Sequence, residues 1–183
     1  ANIGLENTDI TTNERGAIVV NDTCESSVPG VYAVGDVNGG PQFTYISLDD
    51  FRIVFGALTG NGHYTLKVRK NIPYTTFLTP PLARVGLTEQ EAINKGYTVK
   101  TNELLVATMP RAHVNDNLKG AFKIVVNAEN NLILGATLYS QSAEELINLI
   151  KMAMDNNIPY TYFKNQIFTH PTMAENLNDL CNF

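Results

Sequence analysis

A histidine near the end of the chain occupies a position that can aim an imidazole. His170 comes directly before Pro171, which keeps the backbone of His170 out of the helical region. Thr172 and Glu175 have the spacing of a capping box, so a helix is predicted to begin here and to run to about Leu180. A stiff connection before a helix is a good way to aim an imidazole. A packing histidine in a turn, with Glu175 serving only as a cap, fits the same residues.

A second candidate site lies where the apolar run 31–34 ends. Gly35 lets a ligand or another part of the backbone approach closely. The carboxylate of Asp36 can accept hydrogen bonds from hydroxyl groups, as the acid that holds a ribose does in dinucleotide sites. A helix predicted to begin near Phe43 offers unpaired N–H groups and a positive dipole end to electron-rich ligand atoms. An ordinary strand-to-helix turn, with Asp36 as a local cap, explains the same pattern.

The elements around that turn are a pair of strands and a long helix. The β-branched run 16–20 and the apolar run 31–34 each predict a strand. The segment 43–60 has helical periodicity, with Asp49 and Asp50 on its polar side. Its apolar positions largely share one face: Phe43, Ile46, Phe51, Val54, Phe55 and Leu58.

A polar and basic stretch, residues 61–72, is interpreted as a solvated linker that holds a domain boundary. Residues 1–70 form the first predicted region of the chain and residues 71–183 the second. The second region is predicted to be an α+β domain, a mixed or antiparallel sheet with helices to one side. Its predicted extended segments are 74–78, 82–86, 98–107, 121–127 and 132–139, and the last two form a hairpin.

Two helices of the second region are predicted from capping boxes. Thr88 and Glu91 open a helix that ends at Gly96. The segment 142–145 opens another, which runs to about residue 155 with an apolar face.

The composition excludes several classes of function. The 183 residues carry a formal net charge of −5, with 44% hydrophobic and 17% charged residues, as in an ordinary globular protein. The acidic balance argues against nucleic acid or an anionic membrane as a partner, and no apolar run approaches the ~20 residues of a membrane span. Cys24 and Cys181 match no metal or redox spacing, so we expect two unpaired thiols in a reducing cytoplasm and no metal site.

The stretch around Gly35 resembles a known cofactor-binding segment. The pyridine nucleotide-disulfide oxidoreductases, which include glutathione reductase, dihydrolipoamide dehydrogenase and mercuric reductase, have a second FAD-contacting segment similar to SVPGVYAVGDVNGGPQFTYISLDD. The resemblance implies that Asp36 of the Gly-Asp pair binds a ribityl hydroxyl of FAD. It also implies that the backbone of Phe43, Thr44 and Tyr45 faces the pyrimidine edge of the flavin.

Two further segments carry the same resemblance. The start of the family's dimerisation domain is similar to PYTTFLTPPLARVGLTEQEA, so that domain is expected after a C-terminal piece of the FAD-binding domain. The family's His-Pro-Thr-x-x-Glu motif matches THPTMAE. This match implies that His170 is a general acid/base for the redox thiol pair of the other subunit and that Glu175 orients it. The implied assembly is a homodimer, with the apolar face of helix 142–155 and residues 163–168 as the candidate interface.

The resemblance also bears on the substrate. Asn176 stands where glutathione reductases often have a second acid, which leaves the substrate subclass open. Mercuric reductases carry an adjacent Cys-Cys pair at the tail, and the single Cys181 disfavours mercury delivery. A bacterial branch linked to resistance against reactive chlorine and hypothiocyanous acid is most similar to GGPQFTYISLDDFRIV and MAENLNDL. The resemblance to this branch implies that the enzyme uses NAD(P)H to reduce a small oxidant or disulfide through FAD.

Two motifs that such an enzyme needs are missing from the chain. There is no Gly-x-Gly-x-x-Gly, which cradles the FAD and NAD(P)H pyrophosphates, and no Cys-x-x-x-x-Cys, which carries the redox disulfide. We therefore interpret the chain as the C-terminal part of an FAD-dependent NAD(P)H oxidoreductase, and expect it to be inactive and to retain no cofactor on its own. The alternatives are a free-standing dimerisation or binding module, an unrelated binding protein, and a mercuric- or glutathione-type substrate for the whole enzyme.

Overall fold

A long helix dominates the first region of the chain and a β-sheet the second. The structure, a computed structural model, describes residues 3–183, so the first two residues of the predicted region 1–70 lie outside it. The chain divides into two units, residues 1–69 and residues 70–183.

The first unit contains loops and isolated β-bridges before its helix. The predicted strands 16–20 and 31–34 each form only one bridge, so both predictions are wrong in extent. A strand ladder needs bridged neighbours along its whole length, and among the described residues each segment has a bridge at one position. The bridges join Thr12 to Ile18 and Glu25 to Tyr32.

Helix α1 (Thr44–Thr59) begins after a 3₁₀ turn at Gly35–Asn38 and ends at Gly60, which has a left-handed φ of 76°. The prediction of one shared apolar face is wrong. Ile46 and Ile53 are buried. A second stripe of apolar side chains on the same helix is exposed to solvent. That stripe consists of Leu48, Phe51, Phe55 and Leu58.

Asp50 lies on the buried stripe of α1 and not on its polar side as the pattern predicts. Its side chain is fully buried, one helical turn from both Ile46 and Ile53. A carboxylate is tolerated there because backbone and side-chain donors and the guanidinium of Arg69 bind it.

The second unit is built on a five-stranded antiparallel sheet. Its strands are β1 (Tyr74–Thr76), β2 (Leu82–Gly86), β3 (Val99–Leu105), β4 (Ala121–Asn127) and β5 (Ile133–Tyr139). They are ordered β1-β2-β5-β4-β3 with antiparallel pairing throughout, so the α+β prediction is confirmed with an antiparallel rather than a mixed sheet. The hairpin predicted at 121–139 is β4 and β5, which pair with a bulge between Val125 and Val126.

Helices cover both faces of this sheet. They are α2 (Glu89–Asn94), α3 (Pro110–Val114), α4 (Ala143–Asp155), α5 (Tyr160–Asn165) and α6 (Leu177–Leu180). The core lies between one sheet face, with Phe122, Ile124 and Leu138, and the apolar sides of α4 and α6. On the other face, Glu89 of helix α2 forms an ion pair with Lys123 at 2.8 Å, so the flanking helices do not all lie to one side of the sheet.

The two capping boxes have different outcomes. At α2 the box is confirmed, because the side chains of Thr88 and Glu91 each accept a hydrogen bond from the other residue's backbone N–H. At α4 the helix is present but the box is absent. Ser142 has a left-handed φ of 64° and makes no side-chain cap, so the first turn relies on backbone bonds to its carbonyl.

The apolar face of α4 is not available as an interface. Leu146, Ile147 and Ile150 are buried against the sheet of their own chain. In the other predicted interface segment, Ile167 is 92% exposed. Among the described helices, none combines the length and the apolar character that crossing a bilayer requires.

Candidate functional site

His170 is presented to solvent at the start of the C-terminal turn. Its side chain is 67% exposed, and its peptide bond to Pro171 is cis. A 3₁₀ turn at Ala174–Asn176 follows and leads into α6, so the predicted helical segment ending at Leu180 is present as a turn and a short helix. The imidazole is therefore not packed inside its own chain.

Glu175 binds His170 and caps the turn at the same time. The Nδ1 atom of His170 lies 2.7 Å from Oε2 of Glu175. The other carboxylate oxygen, Oε1, accepts the backbone N–H of Thr172 at 3.0 Å, and the N–H of Glu175 donates to Oγ1 of Thr172 at 3.2 Å. The Thr172–Glu175 capping box is thus formed, and it fixes the carboxylate that faces the imidazole.

The electrostatics of the pair determine which ring nitrogen is available. Partial burial raises the pKa of the Glu175 carboxyl, but the hydrogen bonds from His170 and from the Thr172 N–H outweigh burial and leave this pKa below its usual value. An ionised carboxylate only accepts hydrogen bonds, so Nδ1 of His170 carries a proton and donates it to Oε2. In the neutral imidazole, Nε2 then has a free lone pair and can act as a base.

The turn that carries the pair is anchored in the core of the second unit. Met173 and Leu177 flank it and are 5% and 1% exposed. Asn176, which is 2% exposed, donates from Nδ2 to the carbonyl oxygens of Thr172 and Met173 at 3.1 Å each. In the sequence, Asn176 was notable only because glutathione reductases often have an acid at this position. In the structure the amide of Asn176 donates two hydrogen bonds, which a carboxylate at this position could not do.

The first unit holds the other predicted site residues around the Gly35–Asn38 turn. Gly35 is buried with a φ of 70°, and a Cβ atom at Gly35 would lie 2.4 Å from Oγ of Ser47 in α1. Only glycine fits this approach of the turn to the helix. The carboxylate of Asp36 is exposed and makes no hydrogen bond or ion pair within residues 3–183.

The N-terminus of α1 leaves a donor for a ligand. Helix α1 has no side-chain cap, and the amide of Thr44 finds no acceptor among the residues that the structure describes. The rings of Phe43 and Tyr45 stack beside it, with centroids 5.0 Å apart and planes 8° from parallel. The Thr44 amide and the positive end of the helix dipole can bind an electron-rich group of a ligand.

Two residues behind this turn escaped the sequence interpretation. Arg69 belongs to the stretch interpreted as a solvated linker, yet its side chain is only 9% exposed and pairs with Asp49 and Asp50. Asp50 in turn accepts hydrogen bonds from the Gly35–Asn38 turn. Two adjacent acids inside an apolar helical pattern, Asp49 and Asp50, could have indicated a cationic partner. A carboxylate that becomes fully buried needs a cation elsewhere in the chain.

Both cysteines are free and fully buried. Burial, followed by the charge of Asp50, raises the pKa of Cys24 to about 11, and burial raises the pKa of Cys181 to about 12. Neither environment activates a thiol. Within residues 3–183, no group of three or more His, Cys, Asp or Glu side chains is placed to hold a metal ion.

We expect both thiols to resist alkylation in the native protein. At pH 8 a thiol with a pKa of about 11 is thiolate in about one molecule in a thousand, and burial blocks access as well. Iodoacetamide treatment followed by peptide mass spectrometry should label Cys24 and Cys181 only after unfolding in urea. Rapid labelling of either residue under native conditions would contradict this burial.

Comparisons with known proteins place the chain in a family. A family profile described as "Pyridine nucleotide-disulphide oxidoreductase, dimerisation domain" matches residues 72–181, and one described as "Pyridine nucleotide-disulphide oxidoreductase" matches residues 1–50. The chain is 47% identical over 180 residues to the probable pyridine nucleotide-disulfide oxidoreductase RclA of Escherichia coli strain K12, covering 98% of this chain and 41% of that protein. It is 35% identical over 175 residues to a mercuric reductase of Staphylococcus aureus, covering 96% of this chain and 32% of that protein.

A solved structure shows the same fold. The HOCl-induced flavoprotein disulfide reductase RclA from Escherichia coli superposes with a TM-score of 0.95 at 46% identity, covering 99% of this chain and 42% of that one. The chain therefore spans about two fifths of the length of RclA and about one third of the length of the mercuric reductase.

Proposed function

Because the chain belongs to the pyridine nucleotide-disulphide oxidoreductase family, we propose that it is the C-terminal part of an FAD-dependent NAD(P)H oxidoreductase. Residues up to about 70 contribute the end of the nucleotide-binding region, and the remainder contributes the dimerisation domain. The chain supplies a two-fold interface and an acid/base pair, while the redox cysteines and pyrophosphate-binding loops belong to an N-terminal region. On its own the chain has no reductase activity.

The observation that carries this proposal is the pairing of His170 with Glu175. A reductase that cycles between a disulfide and a thiol pair must move a proton to and from a sulfur atom. Nε2 of His170 is the available base, and Glu175 stabilises the imidazolium that forms when it takes a proton. Because the imidazole points out of its own chain, it can serve the cysteines of a partner subunit across a two-fold axis.

The residues around Gly35 fit FAD. Among residues 3–183 the carboxylate of Asp36 has no partner, so it is available for a ribityl hydroxyl. The amide of Thr44 likewise finds no acceptor there and, at the positive end of α1, suits the pyrimidine edge of the flavin. The backbones of Phe43 and Tyr45 complete this end of the helix. When bound, FAD would pass electrons from NAD(P)H to the redox disulfide.

The substrate class follows from the relatives together with the tail of the chain. RclA of Escherichia coli is described as an HOCl-induced flavoprotein disulfide reductase. This description and the resemblance of the sequence to the branch linked to reactive-chlorine resistance support a small oxidant, such as hypothiocyanous acid, as the substrate. Mercury delivery is disfavoured, because the one cysteine of the tail, Cys181, is buried and its thiol stays protonated.

The test is the substitution Glu175→Gln in the complete enzyme. Glutamine has one carbonyl oxygen where glutamate has two, and the Thr172 N–H takes it. The NH₂ group then faces Nδ1 of His170 and selects the tautomer protonated at Nε2, which cannot act as a base. We expect kcat for NAD(P)H-dependent oxidant reduction to fall by on the order of 10²- to 10⁴-fold.

The matched control is Glu145→Gln, which changes an exposed acid in the first turn of α4 and should leave kcat unchanged. FAD content should be the same in both variants. A wild-type kcat in the Glu175→Gln enzyme would contradict the acid/base role proposed for the His170–Glu175 pair. A complete gene product that binds no FAD would favour a free-standing dimerisation module instead.

A further inference from the structure

A fully buried carboxylate links helix α1 to the turn that carries Asp36. Asp50 is 0% exposed. Its Oδ2 atom accepts the backbone N–H of Gly35 at 2.7 Å and Nδ2 of Asn38 at 2.9 Å. Gly35 and Asn38 are the first and last residues of the 3₁₀ turn, so one oxygen atom holds both ends of the segment in which Asp36 lies.

The charge of Asp50 is balanced from the end of the first unit. Nη2 of Arg69 donates to Oδ1 of Asp50, and Nε of Arg69 donates to Oδ2 of Asp49 at 2.7 Å. The hydroxyl of Tyr64 also donates to Asp49, at 3.1 Å. Only a guanidinium presents two donors with the spacing to bind adjacent carboxylates in this way. Arg69 therefore fixes the orientation of the Asp50 carboxylate and also balances its negative charge.

The other contacts of the turn leave it little freedom to move relative to α1. Gly35 approaches Ser47 so closely that a Cβ atom would not fit. Asn38 continues the network, because its Oδ1 atom accepts the N–H of Gly40 at 3.0 Å. The Asp36 side chain takes no part in this network, and its carboxylate faces solvent.

We propose that Asp50 and Arg69 are positioning residues for the flavin: they hold the Asp36 carboxylate in register with the N-terminus of α1, so that the ribityl chain and the flavin ring are bound together. This inference rests on the proposed function, since it concerns the same FAD-contacting segment. Asp50 touches no cofactor atom itself and acts through Asp36.

A double-mutant cycle tests the proposal in the complete enzyme. FAD is removed, and its dissociation constant is measured by flavin fluorescence for the wild type, Asp36→Ala, Asp50→Asn and the double variant. Asn at position 50 loses the charge and turns an NH₂ group toward donors. We expect Asp50→Asn to weaken FAD binding by about tenfold or more in the wild-type background and by less than about threefold when Asp36 is already Ala. A structural effect would be the same in both backgrounds.

Two further variants make every outcome informative. Asp9→Asn makes the same chemical change at an exposed position and should leave FAD affinity unchanged. Arg69→Lys keeps the positive charge but loses the paired donors, and serves if Asp50→Asn does not fold. It should weaken FAD binding by about threefold or more, again only when Asp36 is present.

The failure of this inference is distinguishable from failure of the proposed function. A complete wild-type protein that binds no FAD overturns the proposed function. If the wild type binds FAD and Asp36→Ala weakens binding, but the Asp50 and Arg69 variants bind like the wild type or show equal losses in both backgrounds, then only the positioning role is overturned.

Discussion

Replacing His170 with alanine in the complete enzyme is expected to reduce kcat for oxidant reduction by on the order of 10²- to 10⁴-fold. Glu175 holds Nδ1 of the imidazole and most of the side chain lies in solvent, so Nε2 is accessible for the proposed proton transfer. FAD content and the melting temperature should change little, because the ring supports no core packing. Steady-state turnover and flavin absorbance measure both effects. His63→Ala removes another exposed histidine and should be silent.

Mixing subunits tests whether His170 acts across the dimer. Subunits with His170→Ala are combined with subunits that lack the redox thiol, each inactive alone. If the imidazole serves the partner's cysteines, every hybrid dimer has one intact site, and random mixing restores roughly a quarter of wild-type activity. If the imidazole serves its own subunit, no site is intact and activity stays absent. The second result would contradict the proposed two-fold arrangement.

Gly120→Ala is expected to destabilise the second unit by about 3 kcal/mol or more. Gly120 precedes β4 with a φ of 117°, and a Cβ atom would lie 1.7 Å from the carbonyl oxygen of Tyr139 in β5. The obstacle is the backbone at the end of the interior strand β5, so the adjoining ends of β4 and β5 would have to separate to admit a methyl group. Urea denaturation followed by circular dichroism measures the change in the free energy of unfolding.

Gly96→Ala is the matched control for this change. Gly96 also has a positive φ, 84°, but a Cβ atom there would meet nothing within 4 Å. Its substitution should cost only the backbone strain of about 1–2 kcal/mol. Equal losses for the two variants would show that the close approach to Tyr139 is relieved cheaply.

Local patterns predicted the geometry of the C-terminal turn. The Thr172–Glu175 spacing fixes a capping box from neighbouring residues alone, and that box places the carboxylate beside His170. The strands β2 and β4 also match their predicted ranges, because short apolar runs bounded by turns determine them locally. In contrast, α5 was missed, since six residues after Pro159 carry too little periodicity to be recognised.

Long-range compensation explains the errors in the first unit. Periodicity assigns Asp50 to the polar side of α1, and the structure buries it, because its partner Arg69 lies 19 positions further along the chain. A pattern read over one or two helical turns contains no information about that partner.

The order of strands in the second unit has a consequence for how copies of it can meet. The outermost strands are β1, which has only three residues, and β3, which presents the charged side chains of Lys100 and Glu103. Asn102 of β3 also donates from Nδ2 to the carbonyl oxygen of Leu180 at 2.9 Å, so the end of α6 lies against that strand. Short, charged or covered margins prevent a further strand from adding on. These margins therefore disfavour edge-to-edge association of copies of the unit and fibril-like growth.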